Sequence, residues 1–275
     1  MLTSVIIPTY NRWPVVARAV ESVLNQTRQA AQILVVDDGS DDGTTVKLKR
    51  RFGSEITVVE QANHGVSHAR NTAINLAQGD WIALLDSDDE WLPQKLQRQH
   101  DAIENADSPV LIHCDEIWVR NGIRVNAAKK HQKRGGFIYE YCLPLCCISP
   151  SAAMIRKSTL TALGGFDDQL PACEDYDLWL RLCAEHPVVY IDEPLLIKYG
   201  GHDDQLSAKY WGMDRFRLVA LEKILASDSL NKTQRQQTTD MLIRKARIML
   251  KGAVKHNNHA VIERCNQLIA HYDKL

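Results

Sequence analysis

Four short apolar runs rich in β-branched residues mark the first third of the chain, at 4–7, 33–36, 56–59 and 81–85. Each has the length and composition of a strand. Between them, stretches at about 14–25, 43–51, 66–78 and 93–105 place apolar residues at helical spacing. Strand alternating with helix predicts βαβ units and a parallel sheet covered on both faces. The run 81–85 is apolar throughout and empties into Asp86, Asp88 and Asp89. Those carboxylates fall at the C-terminal edge of the sheet, where open parallel sheets take their ligands.

After residue 109 the rhythm changes. A strand at 109–114, a hairpin at Asn121-Gly122, a basic loop over 129–134, a strand at 151–155, a helix at 174–185 and strands at 188–191 and 195–199 are expected. From 207 onward the pattern reads as two or three helices. The fold class expected is α/β: a Rossmann-like, mostly parallel sheet flanked by helices, with a C-terminal helical appendage. The basic loop either closes over an anionic group or is solvated charge.

Composition narrows the function. A 275-residue chain with 45% hydrophobic residues can bury a large core. The formal charge of −1 hides a basic tail, in which Lys232, Arg235, Arg244, Lys245, Arg247, Lys251 and Lys255 outnumber the acids. Such a tail is a solvated helix face, a peripheral contact with an anionic membrane surface, or a homodimer contact. Seven cysteines without a zinc spacing or a signal peptide suggest a reducing, cytoplasmic setting, with Cys142, Cys146 and Cys147 as small buried hydrophobes. No apolar run reaches the roughly 18–20 residues needed to span a bilayer. No feature calls for nucleic acid as a partner. Neither G-x-G-x-x-G after a strand nor G-x-x-x-x-G-K-[ST] occurs, which argues against dinucleotide oxidoreductases and P-loop nucleoside triphosphatases.

Several clusters carry chemistry. Asp86 and Asp88 occupy alternate positions and can point the same way in extended chain. Their hard oxygens suit Mg²⁺ or Mn²⁺ completed by substrate phosphates. Asp89 and Glu90 read as start residues of the helix near Pro93. Asp38, directly after a buried strand, is placed to bond a base or a ribose, and Tyr10 in Pro8-Thr9-Tyr10-Asn11 to stack on a base. Arg70 and His202 are candidates for neutralising phosphates. In Cys173-Glu174-Asp175-Tyr176-Asp177, helical spacing puts Asp175 on the stripe of Leu178, Trp179 and Leu182, as a cap or a general base. Asp177 is expected to pair with Arg181 at the surface.

In this order, Ser4-Val5-Ile6-Ile7-Pro8-Thr9-Tyr10-Asn11-Arg12, Val35-Val36-Asp37-Asp38-Gly39-Ser40, the Gly65…Ala69-Arg70-Asn71 segment, Asp86-Ser87-Asp88-Asp89 and Gly164-Gly165-Phe166-Asp167…Glu174-Asp175…Leu178-Trp179 resemble glycosyltransferase family 2. The resemblance spans roughly 4–182. It implies a GT-A catalytic domain over 1–215, with a nucleotide-sugar half (1–105) and an acceptor half (106–215), followed by a helical region at 216–275. It further implies an inverting, metal-dependent enzyme moving a sugar from a UDP-linked donor to a hydroxyl of a glycan or lipid-linked acceptor, in cell-envelope polysaccharide synthesis. Pro8, Thr9, Tyr10 and Asp38 would then form the nucleotide pocket, Arg70 would approach base or diphosphate, and Asp86 would face the ribose. Asp88 would ligate Mn²⁺ or Mg²⁺, with His202 directed at metal or phosphate. Asp175 would be the base, and Glu174 would position acceptor or sugar. Two alternatives stand beside this: a non-catalytic nucleotide- or glycan-binding module, and a nucleotidyltransferase. The latter calls for a glycine-rich basic first loop in place of Pro8–Arg12.

Overall fold

The computed structural model describes residues 1–126, 128–201, 210 and 212–273. Strands β1 (Thr3–Thr9), β2 (Gln32–Asp37), β3 (Thr57–Glu60) and β4 (Trp81–Leu84) alternate with helices α1 (Val15–Leu24), α2 (Thr44–Phe52) and α3 (Val66–Leu76). The chain continues through β5 (Glu90–Trp91), α4 (Lys95–Asn105), β6 (Leu111–Arg120), β7 (Ile123–Val125), α5 (Tyr139–Cys142), β8 (Met154–Arg156), α6 (Lys157–Ala162), α7 (Glu174–Glu185) and β9 (Val189–Gly200). Helices α8 (Asp214–Ala226), α9 (Lys232–Lys255) and α10 (His259–Tyr272) follow.

One sheet holds all nine strands in the order β3-β2-β1-β4-β8-β6-β9-β5, with β7 on β6. The first four are parallel to one another, as the βαβ rhythm predicts. Beyond β4 the sheet is mixed, since β8 lies antiparallel to both β4 and β6 while β6 and β9 run parallel. The expected sheet flanked by helices is present, wholly parallel over β1–β4 and mixed beyond, where β6 and β9 remain parallel. Short antiparallel insertions such as β8 carry too little apolar pattern to reveal their direction.

Period-two side chains divide the core between the two faces. Ile6, Leu34, Val36, Ile82 and Leu84 pack with Ala69 and Ala73 of α3, and Val5, Ile7, Val35, Ala83 and Leu85 with Val16, Val20 and Val23 of α1. Each fully buried aliphatic side chain contributes about 1.5–3 kcal/mol of transfer free energy. The first cluster also takes in Leu218, Leu221 and Ile224 of α8, Leu242 and Ala246 of α9 and Leu268 of α10. These helices thus share the core beneath the sheet.

Several local expectations change. Residues 188–191 and 195–199 form one strand, β9, whose register against β6 shifts around Asp115 and absorbs Pro194. Part of the 151–155 segment is a single 3₁₀ turn, Pro150–Ala152, before β8. Asp89 and Glu90 do not start a helix, because β5 intervenes and α4 opens at Lys95. The basic loop is not simply solvated: Lys133 is buried against Glu116 at 3.1 Å. Gly165 at φ +70 is required where α3 meets the loop after α6, since a Cβ there would stand 2.6 Å from Asn71 Oδ1. That oxygen accepts from the Phe166 amide at 2.9 Å.

Candidate active site

The site begins where β1, β2 and β4 end side by side. Thr9 pairs with Asp37 in the β1–β2 register, and the Asp38 amide donates to the Thr9 carbonyl at 2.9 Å. Pro8 and Thr9 are buried and Tyr10 is exposed. The Thr9 hydroxyl, though buried, has no hydrogen-bond partner among the described residues. Asn11 laces the first loop to the second: its amide donates to Ser40 Oγ at 2.8 Å, and its side-chain carbonyl accepts from the Asp41 amide at 2.9 Å. Adjacent βα loops so tied form a continuous rim over the sheet edge.

Asp37 and Asp38, both buried, divide the work of that rim. Asp37 accepts from the Ser40 amide at 2.9 Å and from the Thr45 hydroxyl. Asp38 gathers the loop after β3, accepting from Gln61 Nε2 at 2.7 Å, the His64 amide at 3.0 Å and the Gly65 amide at 2.8 Å. Two carboxylate oxygens offer about four acceptor sites. Three donors leave Asp38 capacity for a ligand N–H or O–H.

The cluster's central cation is Arg70 of α3, 3% exposed. It donates from Nη2 to Asp86 Oδ1 and from Nη1 to Glu174 Oε1, both at 2.7 Å, and lies over the Phe166 ring. Burial works against its charge, but the two carboxylates more than offset this and keep it protonated. Glu174 is pushed above the ordinary carboxylate range by burial and by Asp175, against the pull of Arg70. The guanidinium is thereby a fixed bridge between β4 and α7.

Asp88 pairs with Arg12 at 2.7 Å, and Arg18 of α1 donates to the Asp88 carbonyl. Asp89 turns inward, taking the Ser151 hydroxyl at 2.5 Å and the Tyr199 amide at 3.1 Å. Burial pushes it up to about 8 despite Lys198, with Asp88 and Asp86 adding to the rise. It fastens β9 beneath the site. Asp86 and Asp88 fit a hard divalent cation in donor chemistry, and no group of three His, Cys, Asp or Glu among the described residues could hold one alone. The set matches a cation that takes its remaining ligands from diphosphate and water. His202 lies outside the described residues.

Across the bridge, Cys173 at φ 63° turns the chain into α7, a left-handed conformation unfavourable to a residue with a Cβ. Glu174, Asp175 and Asp177 fill the first helical turn, where the helix dipole favours anions. Asp175 caps nothing, since Cys173 occupies the cap position. Its Oδ1 accepts from the Tyr176 amide at 2.7 Å and its Oδ2 from the Cys146 thiol at 3.0 Å. Asp177 is not a surface residue: it is 2% exposed, held by Arg181 at 2.8 Å and by Lys223 of α8 at 2.8 Å. The covering helix is far away in sequence, which hides this burial from helical periodicity.

The structure thus unites Asp86, Arg70 and Glu174 directly, sets Asp175 beside them, and aligns Pro8, Thr9, Asp38 and Asp88 along the same sheet edge. Sequence reasoning gave no role to Arg12, Arg18 or Lys198, and read Cys146 and Cys147 as buried hydrophobes, whereas both are half-buried and the Cys146 thiol donates to a carboxylate. Arg12 follows the first strand's motif immediately, a signal that points to the edge. Nothing in the sequence links Cys146 to Asp175.

Residues 4–163 match the profile described as glycosyl transferase family 2. A curated Escherichia coli protein, UDP-Glc:alpha-D-GlcNAc-diphosphoundecaprenol beta-1,3-glucosyltransferase WfgD, is 32% identical over 192 residues, 70% of this chain and 73% of that protein. An uncharacterised glycosyltransferase of Rickettsia conorii is 30% identical over 214 residues, 76% of this chain and 35% of the relative. The chain therefore spans about a third of that longer protein. Among solved structures, S. aureus TarS 1–349 in complex with UDP-GlcNAc superposes with a TM-score of 0.68 at 20% identity, over 89% of this chain and 71% of that one. Mannosyltransferase PcManGT from Pyrobaculum calidifontis, in complex with GDP-Man and Mn²⁺, gives 0.63 at 18% identity over 99% and 82%.

Proposed function

From the premise that the chain belongs to glycosyl transferase family 2 and is a glycosyltransferase with the GT-A fold, we propose an inverting, metal-dependent transfer from a UDP-sugar to a hydroxyl of a glycan or lipid-linked acceptor. The observation that carries this reading is the Asp86–Arg70–Glu174 bridge. It sets the carboxylates after β4 at a fixed reach from Asp175, the residue next to Glu174. UDP as donor is supported by the printed names of WfgD and of the TarS complex. Residues 1–105 act as the donor half, 106–215 as the acceptor half and 216–275 as the helical region that completes the core.

In the proposed reaction Asp175 takes the proton of the acceptor hydroxyl as its oxygen attacks the anomeric carbon. The bond from that carbon to the diphosphate oxygen breaks, and UDP leaves with the electron pair. One displacement inverts the centre, whereas retention by double displacement calls for a nucleophile that forms a sugar ester. Asp88, with Asp86 beside it, would hold a divalent cation, which would supply Lewis-acid stabilisation of the departing diphosphate. Arg70 keeps Asp86 and Glu174 in place, and Asp38 shapes the nucleotide rim. The exposed basic face of α9, with Arg244, Arg247, Lys251 and Ile248, supports peripheral contact with the inner face of a membrane carrying a lipid-linked acceptor, or pairing of two copies.

Calorimetric binding of UDP with and without Mn²⁺, with GDP as competitor, tests the donor site. UDP-sugar turnover, followed as UDP release, then tests the transfer. The expected result is metal-promoted UDP binding and sugar transfer. Nucleotide binding without turnover on any acceptor or water would favour the non-catalytic binding module.

A further inference from the structure

The base has a partner that the reaction above does not use. Cys146 lies in the loop between α5 and the turn at Pro150, and its thiol stands 3.0 Å from Asp175 Oδ2 and 3.2 Å from the Ile148 carbonyl oxygen. That loop is clamped by α7: Tyr176 Oη donates to the Leu143 carbonyl at 2.7 Å and Trp179 Nε1 to the Ile148 carbonyl at 2.8 Å. From the other side, Lys245 of α9 donates to the Pro144 carbonyl at 2.8 Å. Three bonds from two helices therefore fix where the sulfur sits.

Resting on the transferase reading, we propose that Cys146 is a positioning residue for the general base. Its S–H orients the Asp175 carboxylate, then turns to the Ile148 carbonyl when Asp175 takes up the acceptor's proton. Burial and the nearby Asp175 charge raise the thiol well above its ordinary range, so it stays protonated and serves as a donor. A hydrogen bond to the charged form of an acid favours that form. The same bond is of no use once the acid is neutral, and the second acceptor at 3.2 Å gives the thiol proton somewhere to go.

The other charges around Asp175 have fixed places. Glu174 and Cys173 flank it on α7, and Arg70 of α3 neutralises Glu174 from behind. Arg217 and Asp214 of α8 face Cys173, while Lys198 of β9 and Cys147 face the Cys146 sulfur. Of these groups, Cys146 and the Tyr176 amide are the donors within hydrogen-bond distance of the Asp175 oxygens.

Two measurements test the assignment. In the pH profile of kcat/KM, Cys146→Ala is expected to move the acid limb upward by about half a unit to one unit, roughly a three- to tenfold loss on the acid side. Cys146→Ser, which keeps a donor, should leave the limb at or below the wild-type position. Independently of turnover, alkylation of Cys146 by iodoacetamide, followed by peptide mass analysis, should be faster in Asp175→Asn than in wild type, because the negative charge that raises the thiol is gone. An unshifted limb in Cys146→Ala, or an alkylation rate unmoved by Asp175→Asn, overturns the proposal while transfer by wild type stands. Wild type that transfers no sugar overturns the transferase reading itself, and with it the role of Cys146.

Discussion

Arg70 and Glu174 stand 104 positions apart in the chain and 2.7 Å apart in space, and through them α3 is fastened to α7. A bidentate guanidinium suits this place because its planar fork reaches two carboxylates at once. Removing one member of a buried ion pair leaves the others uncompensated, a loss of about 3–5 kcal/mol. Arg70→Ala should lose stability of that order in urea unfolding, and Arg70→Lys should recover only part of it. A loss under about 1 kcal/mol would show that the bridge is not structural.

Asp175→Asn keeps the shape and the Tyr176 amide contact but cannot accept a proton. Transfer should fall by about 10²–10⁴, the usual contribution of general base catalysis. UDP affinity by calorimetry should stay within a factor of about two to three of wild type, the ordinary scatter of a non-contacting change. Equal losses in both would move Asp175 into the nucleotide pocket.

Asp88→Ala removes a carboxylate now paired with Arg12 at 2.7 Å. The Mn²⁺-dependent part of UDP binding should disappear, leaving whatever affinity the nucleotide has without metal. Chelator treatment of wild type should give the same residual affinity. Retained metal dependence in Asp88→Ala would place the cation elsewhere.

Acid should destabilise the fold through two histidines. Burial pulls His113 down to about 3 and His100 down to about 4, from an ordinary value of 6.5. His113 Nε2 lies 2.8 Å from the Arg134 carbonyl, which assigns the proton to that nitrogen, and Nδ1 is buried without a partner. Charging either ring would put an N–H where no acceptor waits. Below 6.5 the unfolded chain binds protons that the folded one refuses, so this stability is present above pH 6.5 and lost as pH falls toward 3. The slope is at most about 1.4 kcal/mol per pH unit for each ring. Denaturant midpoints from pH 7 to 4.5 should fall accordingly, and His113→Gln, which keeps an N–H for the carbonyl, should flatten the trend.

The parallel half was legible because its signals are local. Runs such as 81–85 are buried on both faces, and the acids that follow them mark the edge. The positions of Asp86, Asp88 and Asp175 could be read in the same way, from residue type beside a predicted element. The partners could not. Arg70 was read for base or diphosphate, and its pairing with Asp86 and Glu174 was not legible. Asp38 was read for its ligand and also holds the loop at 61–65, a task set by a neighbouring strand. Asp89, Asp177 and Lys133 read as solvated or capping charges because the elements that bury them come from distant sequence. Long-range ion pairs leave no periodicity, so no window of sequence contains them.

Lys245, Thr238 and the apolar faces of α8 and α9 bear on how this enzyme can be cut or fused. Thr238 meets the Tyr139 hydroxyl at 2.7 Å, and Lys245 reaches Pro144, two residues before the thiol that meets Asp175. The family match ends at 163, well before these contacts. A fragment trimmed to that boundary would lose α7 with Glu174 and Asp175, and one trimmed at 215 would remove Leu218, Leu221, Ile224, Leu242 and Ala246 from the core cluster they share with α7. A trimmed form is therefore expected to need α8 and α9 to keep that core, and a fusion partner to be better tolerated after α10 than in place of it.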